Sequence, residues 1–210
     1  MVYVELRFPV LGDMLPRDYG YGMYKAISRL VPEAHGADWF SIEAQDICQA
    51  CAGPQANLKM RLPHNRVPLM LKLSGCEMRA GDSVIRLTAP QIHLLKPCRE
   101  LYSRCVAIRN CAKREQFLDS VAWRLDEMGI KGDPESGPRR YARIGRRTVA
   151  GFALKIHDLS EEGSLLLQEQ GMGNWKKAGC GYFVPATSRT DFSRIDRRVL
   201  MVQRNNLYAG

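Results

Sequence analysis

Between Leu101 and Pro185 the chain runs through strand, helix, strand, strand, helix and strand, the order it has already followed between Val2 and Leu87. In the first pass "VYVELRF" alternates with a period of two and predicts a strand. "PRDYGYGMYKAISRLV" predicts a helix opened by Pro16, with Met23, Ile27, Leu30 and Val31 on its apolar stripe. Residues 39–48 are weakly strand-like, "NLKMRLP" predicts a further strand, and "NRVPLMLKLSG" predicts a short helix stopped by Gly75. "DSVIRL" is expected to close the set. In the second pass "LYSRCVAIR" predicts a strand and "REQFLDSVAWRLDEMGI" a helix with Phe117, Val121, Leu125 and Met128 on one face. "GDPESGP" is expected to be an exposed link before two strands, "RRYARIGRR" and "VAGFALKI". A leucine-rich helix and the short strand "GYFVP" complete the copy.

This order is that of a ferredoxin-like unit. Written twice, it predicts an α+β protein of two tandem ferredoxin-like (RRM-like, βαββαβ) units. The boundary is expected near "LLKPCRE", dividing residues 1–96 from 97–210. The repeat is one of pattern, not of identity. Nothing matches the aromatic-rich motif by which an RRM normally stacks single-stranded bases, so any RNA would be held through arginine, a loop and shape.

The second unit contains "QEQGMGNWKKAGCGYF", residues 168–183, with glycine at 171, 173, 179 and 181 around Lys176-Lys177. Glycine permits positive φ and close approach of a ligand to the backbone. Two familiar phosphate loops are excluded. A Walker loop needs Lys-Ser or Lys-Thr after its glycines, and a dinucleotide fingerprint needs a third glycine where Lys176 stands. Polarity is also reversed: "LSEEGSLLLQEQG" predicts a helix with Ser160 as N-cap and Gly171 as its stop, so the loop follows the partially negative helix end. An anion here must be held by backbone N–H groups and the two lysines.

The charge pattern points the same way. Lys and Arg outnumber Asp and Glu 31 to 22, a net charge of +9. "RRYARIGRR" carries Arg139, Arg140, Arg143, Arg146 and Arg147 with no acid, and "SRIDRRVLMVQR" carries four more arginines. Guanidinium forks match phosphate geometry and stack on bases, which favours a nucleic-acid partner over a solvated basic edge. Of seven cysteines only Cys48 and Cys51 have x-x spacing, with no second pair, so no metal and no cofactor are expected. No apolar run is long enough to span a bilayer and no signal-peptide pattern opens the chain, so a cytoplasmic protein without membrane contact is expected.

Taken together, tandem ferredoxin-like units with a glycine-rich loop after the last helix resemble the CRISPR-associated endoribonucleases that cut repeat RNA into guides. "LPRDYGYGMYKAISRLVPEAHG" is similar to the first helix of one subtype, and "VAGFALKIHDLSEEGSLLLQEQGMG" with "GCGYFVP" to the stretch around the loop. The resemblance implies binding of a CRISPR repeat RNA, often a stem-loop, and cleavage by attack of its own 2′-OH. The products are a 2′,3′-cyclic phosphate and a free 5′-OH, and no metal is needed. It further implies that the crRNA product stays bound and that other CRISPR effector-complex subunits are partners. The family's loop role falls on Gly171, Gly173, Lys176, Lys177, Gly179 and Gly181. The middle of the loop departs from the family, with Asn174-Trp175-Lys176-Lys177 where arginine is common.

Metal-free transesterification needs a base for the 2′-OH, an acid for the leaving oxygen and charge stabilisation at the phosphate. Histidine titrates in the right range, and there are four. His64 sits at a predicted strand-to-helix corner, His93 in the apolar run "QIHLLK" and His157 at a strand end, all positions suited to packing or surface roles. The resemblance singles out His35, just after the first helix, as catalytic. Family members also use tyrosine or lysine beside histidine; Tyr19, Tyr21, Tyr24 and Lys25 are available, and Tyr24 is taken as the second catalytic candidate. The subtype often reads Asp-His-Gly-Tyr where this chain has Asp18-Tyr19-Gly20-Tyr21. That departure motivates a second reading, a non-catalytic RNA-binding subunit of a CRISPR ribonucleoprotein. A third reading is a basic protein whose loop binds a small phosphate compound.

Overall fold

The computed structural model describes residues 1–13, 15, 18–43, 57–187, 190 and 192. Pro16, the Cys48/Cys51 pair and the basic segment "SRIDRRVLMVQR" lie outside them. Two antiparallel sheets carry the fold. In the first, β1 (Tyr3–Gly12) pairs with β3 (Asn57–Pro63), which pairs in turn with the two-residue β2 (Ser41–Ile42). On its other side β1 pairs along Val4–Arg7 with β6 (Gln91–Leu94). The order β6-β1-β3-β2 is that of a ferredoxin-like sheet. The second sheet runs β10-β7-β9-β8, built from β7 (Leu101–Val106), β8 (Asp133–Ile144), β9 (Arg147–His157) and β10 (Val184–Pro185). The α+β class and the tandem ferredoxin-like plan are therefore those of the molecule.

Helices cover one face of each sheet. α1 (Gly20–Leu30) buries Gly20, Met23, Ala26 and Ile27 against Leu6, Phe8, Met60 and Leu62. Leu30, expected on the stripe, is exposed instead. The helix begins at Gly20, four residues after Pro16. α2 (Val67–Met70) lies between two 3-10 turns. α3 (Arg114–Glu127) buries Phe117, Val121 and Leu125, and α4 (Glu161–Gln170) buries Leu167, against Leu101, Leu154 and Ile156. Each buried Leu, Ile, Val, Phe or Met side chain among these contributes about 1.5–3 kcal/mol relative to exposure.

"DSVIRL" takes its expected place beside β1: β5 (Ser83–Leu87) pairs with Val10–Gly12 and forms a hairpin with β4 (Glu77–Ala80), giving the order β2-β3-β1-β5-β4. One local expectation is corrected and one strand is added. The added strand is β6, which pairs with β1 along Val4–Arg7 and leaves Leu94 71 % exposed. "GDPESGP" is not a link but the first half of β8, paired with His157–Leu154. Pro134 and Pro138 are tolerated there because β8 is an edge strand, and the register shifts between Ser136 and Arg139.

A buried polar cluster ties the two sheets together. Arg61 of β3, 2 % exposed, donates through Nη1 to the carbonyl oxygens of Gln168 (3.1 Å) and Phe183, and through Nη2 to Glu5 Oε2 (3.2 Å). Tyr182 donates its hydroxyl proton to the same Glu5 oxygen at 2.8 Å. Burial raises the Glu5 pKa, but Arg61, Arg7 and Tyr182 outweigh it and hold the carboxyl below its usual range. This cluster fixes the end of the glycine loop against the first sheet.

Candidate functional site

The loop is built from its glycines outward. Ser160 caps α4 by accepting the Gly163 N–H at 3.0 Å, and the helix stops at Gly171 with φ +62°. From there the backbone is sewn to the end of β7: Asn174 N–H donates to Ala107 O (2.8 Å) and Gly181 N–H to Cys105 O (2.7 Å). A Cβ on Gly181 would lie 1.8 Å from Met172 O, and one on Gly173 would lie 2.6 Å from Ala107 O. These glycines are required by the loop's own closeness. Gly179 and Gly181 are buried, so they shape the loop from within, while Gly171 and Gly173 are partly open. Trp175 also takes positive φ (+67°), and its indole is 40 % exposed.

The two lysines part company. Lys176 turns back and donates from Nζ to Gln170 O at 2.7 Å, covering the partially negative end of α4. Burial pushes its pKa down; Asp38 opposes this, and Lys177 and Arg124 add to it. Lys177 crosses to the first unit, where its Nζ lies 5.5 Å from the centre of the Tyr24 ring, within cation–π reach.

Tyr24 sits at the C-terminal half of α1, and His35 follows the 3-10 turn Pro32–Ala34. The buried Ala34 anchors that turn and leaves His35 exposed. The imidazole is stacked on the Tyr24 ring with centroids 6.5 Å apart and planes inclined by 15°. Gly36 N–H donates to the Tyr24 hydroxyl at 3.1 Å, which ties the turn to the helix. His35, Tyr24 and Lys177 are thus neighbours, although residues 35 and 177 are far apart in the chain. Such a set combines a proton-transfer group, a hydroxyl and a fixed cation.

The other candidates separate by burial. Tyr19 is 2 % exposed and donates its hydroxyl proton to Glu43 O at 2.6 Å, a core role. Tyr21 packs on a small-residue cluster of Cys105, Ala142, Ile144 and Ala178 at the seam between the units. Lys25 points to solvent. His64 is exposed, His93 Nε2 lies 3.3 Å from Gln91 Oε1, and His157 bridges Glu100 (3.2 Å) and Glu135 (2.9 Å). None of those three contacts the Tyr24–His35 pair.

The arginine-rich segment forms the β8–β9 hairpin, whose turn approaches the same helix: a Cβ on Gly145 would lie 3.4 Å from the Tyr21 ring. Arg139, Arg143, Arg146 and Arg147 are exposed, and Arg140 is half-buried. Between hairpin, loop and the start of α1 lies a polar cleft whose lining includes Asp18, Gly20, Arg104, Arg143 and Gly179. Arg104 donates to Asp18 Oδ1 there at 3.3 Å. Sequence reasoning missed Arg104, because a single arginine alternating within "LYSRCV" carries no local sign of facing another domain. Among the described residues no group of three His, Cys, Asp or Glu side chains is arranged to hold a metal ion. No helix among them is long and apolar enough to cross a membrane.

Comparison with known proteins gives a consistent result. The family model described as Cas6 Crispr matches residues 4–188. A CRISPR-associated endonuclease Cas6 of Myxococcus xanthus (strain DK1622) is 33% identical over 189 residues, covering 88% of this chain and 82% of that protein. Among solved structures, one characterising a Cas6-related gene from Pyrococcus furiosus is similar with a TM-score of 0.61 at 13% identity, over 89% of this chain and 99% of that one. Thermus thermophilus Cse3, bound to an RNA representing a pre-cleavage complex, has a TM-score of 0.52 at 14% identity, over 89% and 100% of the two chains. At these identities the two structures share the fold.

Proposed function

Because the chain belongs to the Cas6 family of CRISPR-associated endonucleases, we propose that it binds a CRISPR repeat RNA, in stem-loop form, and cuts it to mature guide RNAs without a metal ion. The observation that carries this reading is the junction of His35, Tyr24 and Lys177, where the glycine loop of the second unit meets the first helix. The 2′-OH of the nucleotide before the cut gives its proton to His35 and attacks the adjacent phosphorus. The P–O5′ bond breaks and the 5′ oxygen takes a proton from solvent water, leaving a 2′,3′-cyclic phosphate and a free 5′-OH, while the imidazolium returns its proton to solvent. Lys177 offsets the charge that builds on the phosphoryl oxygens, and Tyr24 orients the imidazole and adds a hydroxyl.

In this reading residues 1–96 carry the proton-transfer pair and residues 97–210 carry the RNA grip. Arg139, Arg143, Arg146 and Arg147 hold the RNA backbone along the hairpin, with Arg140 behind them. Gly171, Gly173 and Lys176 shape and charge the rim beside Lys177, while the buried Gly179 and Gly181 hold the loop in form. The product stays bound after the cut and is passed to other subunits of a CRISPR effector complex in the cytoplasm. The enclosed Tyr19 supports cleavage over a purely binding role, because that position serves the core here and its lack of histidine removes nothing from the exposed junction.

The test is single-turnover cleavage of a repeat RNA in EDTA, with the 3′ end of the upstream product analysed. Cutting should persist and leave the cyclic phosphate. His35→Ala should slow the step by about 10²- to 10⁴-fold while RNA binding is kept. An unchanged rate in His35→Ala, or abolition by EDTA, would sink this mechanism.

A further inference from the structure

Beside the junction, α3, α4 and the glycine loop enclose a second groove, lined in part by Arg124, Glu127, Met128, Gln170, Gly171 and Lys176. Lys176 faces this groove while the next residue, Lys177, reaches Tyr24. An RNA strand crossing the junction therefore has this groove one loop residue away. Trp123, one helical turn before Glu127 on α3, is 60 % exposed. The guanidinium carbon of Arg124 lies 5.9 Å from the Trp123 ring. Arg124 Nε is enclosed and makes no hydrogen bond among the described residues. Arg124 and Lys176 also repel across the groove, and that repulsion contributes to the lowered Lys176 pKa. Two cations lining one groove suit an anion. An exposed indole beside them offers a stacking face for a base.

We propose that this groove is a second RNA-binding site, which takes an unpaired nucleotide flanking the cut, with its base on Trp123 and its phosphate on Arg124 and Lys176. The inference rests on the repeat-RNA reading above and assigns recognition of single-stranded flank to residues outside the cleavage junction. Glu127, the acid in the groove lining, disfavours a second phosphate there.

The experiment measures affinity for two RNAs, one stem-loop with unpaired flanks and the same stem-loop without them. Trp123 is exposed, so Trp123→Ala and Trp123→Phe leave the core intact. Trp123→Ala should weaken binding of the flanked RNA by roughly 5- to 50-fold, the range expected for loss of one base stack. Trp123→Phe should restore most of that loss. Binding of the bare stem-loop and the cleavage rate at saturating RNA should not change. Equal affinity of Trp123→Ala and wild type for the flanked RNA, or an equal loss on both RNAs, overturns this inference alone. Wild-type protein that binds neither RNA overturns the repeat-RNA reading, and this inference with it.

Discussion

The guanidinium carbon of Arg61 lies 4.1 Å from the centre of the Tyr182 ring, and Glu5 accepts hydrogen bonds from both side chains. Arg61 belongs to the first sheet and Tyr182 follows directly on the glycine loop. This contact sets the loop's position relative to α1, and hence the distance from Lys177 to Tyr24.

Removing Arg61 should therefore damage stability and geometry together. Arg61→Met leaves the Glu5 carboxylate enclosed without its main partner, a loss of about 3–5 kcal/mol by analogy with other broken buried pairs. Urea unfolding followed by circular dichroism measures this. Because the folded Glu5 pKa is depressed, its contribution is complete above the unfolded glutamate value near 4.3 and is lost as pH falls through the lower folded value. The wild type should accordingly lose stability more steeply below about pH 4 than an Arg61→Met variant.

A methyl group on Gly181 has no room. Its Cβ would fall 1.8 Å from Met172 O at a φ of +69°. Gly181→Ala should cost more than the roughly 1 kcal/mol of an ordinary strained Gly-to-Ala exchange, and it should disconnect the loop from β7. A lowered melting temperature with loss of RNA cleavage is expected. Retained cleavage at wild-type stability would mean that the loop does not need this closeness.

His157 gives the opposite pH sign. Burial disfavours its charged form, but hydrogen bonds and charge from Glu135 and Glu100 outweigh this and raise its pKa above the usual 6.5. Its contribution is fully present below the unfolded value near 6.5 and is lost as pH rises through the folded value. Unfolding titrations of wild type and His157→Gln should diverge at pH 5.5 and converge at alkaline pH. Parallel curves would show that the two glutamates do not hold the imidazolium.

The hairpin arginines should reveal themselves through salt. If Arg143, Arg146 and Arg147 each neutralise one phosphate, changing all three to Gln should flatten the slope of log affinity against log salt by about 2–3. Gln at these exposed positions leaves the sheet pairing in place. An unchanged slope would move the RNA away from the hairpin.

Much of this was legible in the sequence because it rests on local periodicity. β3 falls on "NLKMRLP" residue for residue, and Phe117, Val121 and Leu125 form the buried face of α3. Ser160 and Gly171 bound α4 as their side-chain chemistry requires. The errors fall where tertiary context overrides local preference. Two prolines and two glycines made "GDPESGP" look like a link, but an edge strand needs only half of its N–H groups.

The site divides along the same line. Sequence alone determined the βαββαβ repeat, the caps of α4, the glycines that need positive φ and the positive charge of loop and hairpin, since each depends on residues close together in the chain. Only tertiary structure decided that Lys176 covers a helix end while Lys177 reaches Tyr24, that Tyr19 is core and His35 is exposed, and that the Gly145 turn meets Tyr21. Those outcomes depend on how two sheets pack across a seam. That packing is set by contacts such as Arg61 with Tyr182, between residues more than a hundred positions apart, and no local pattern encodes them.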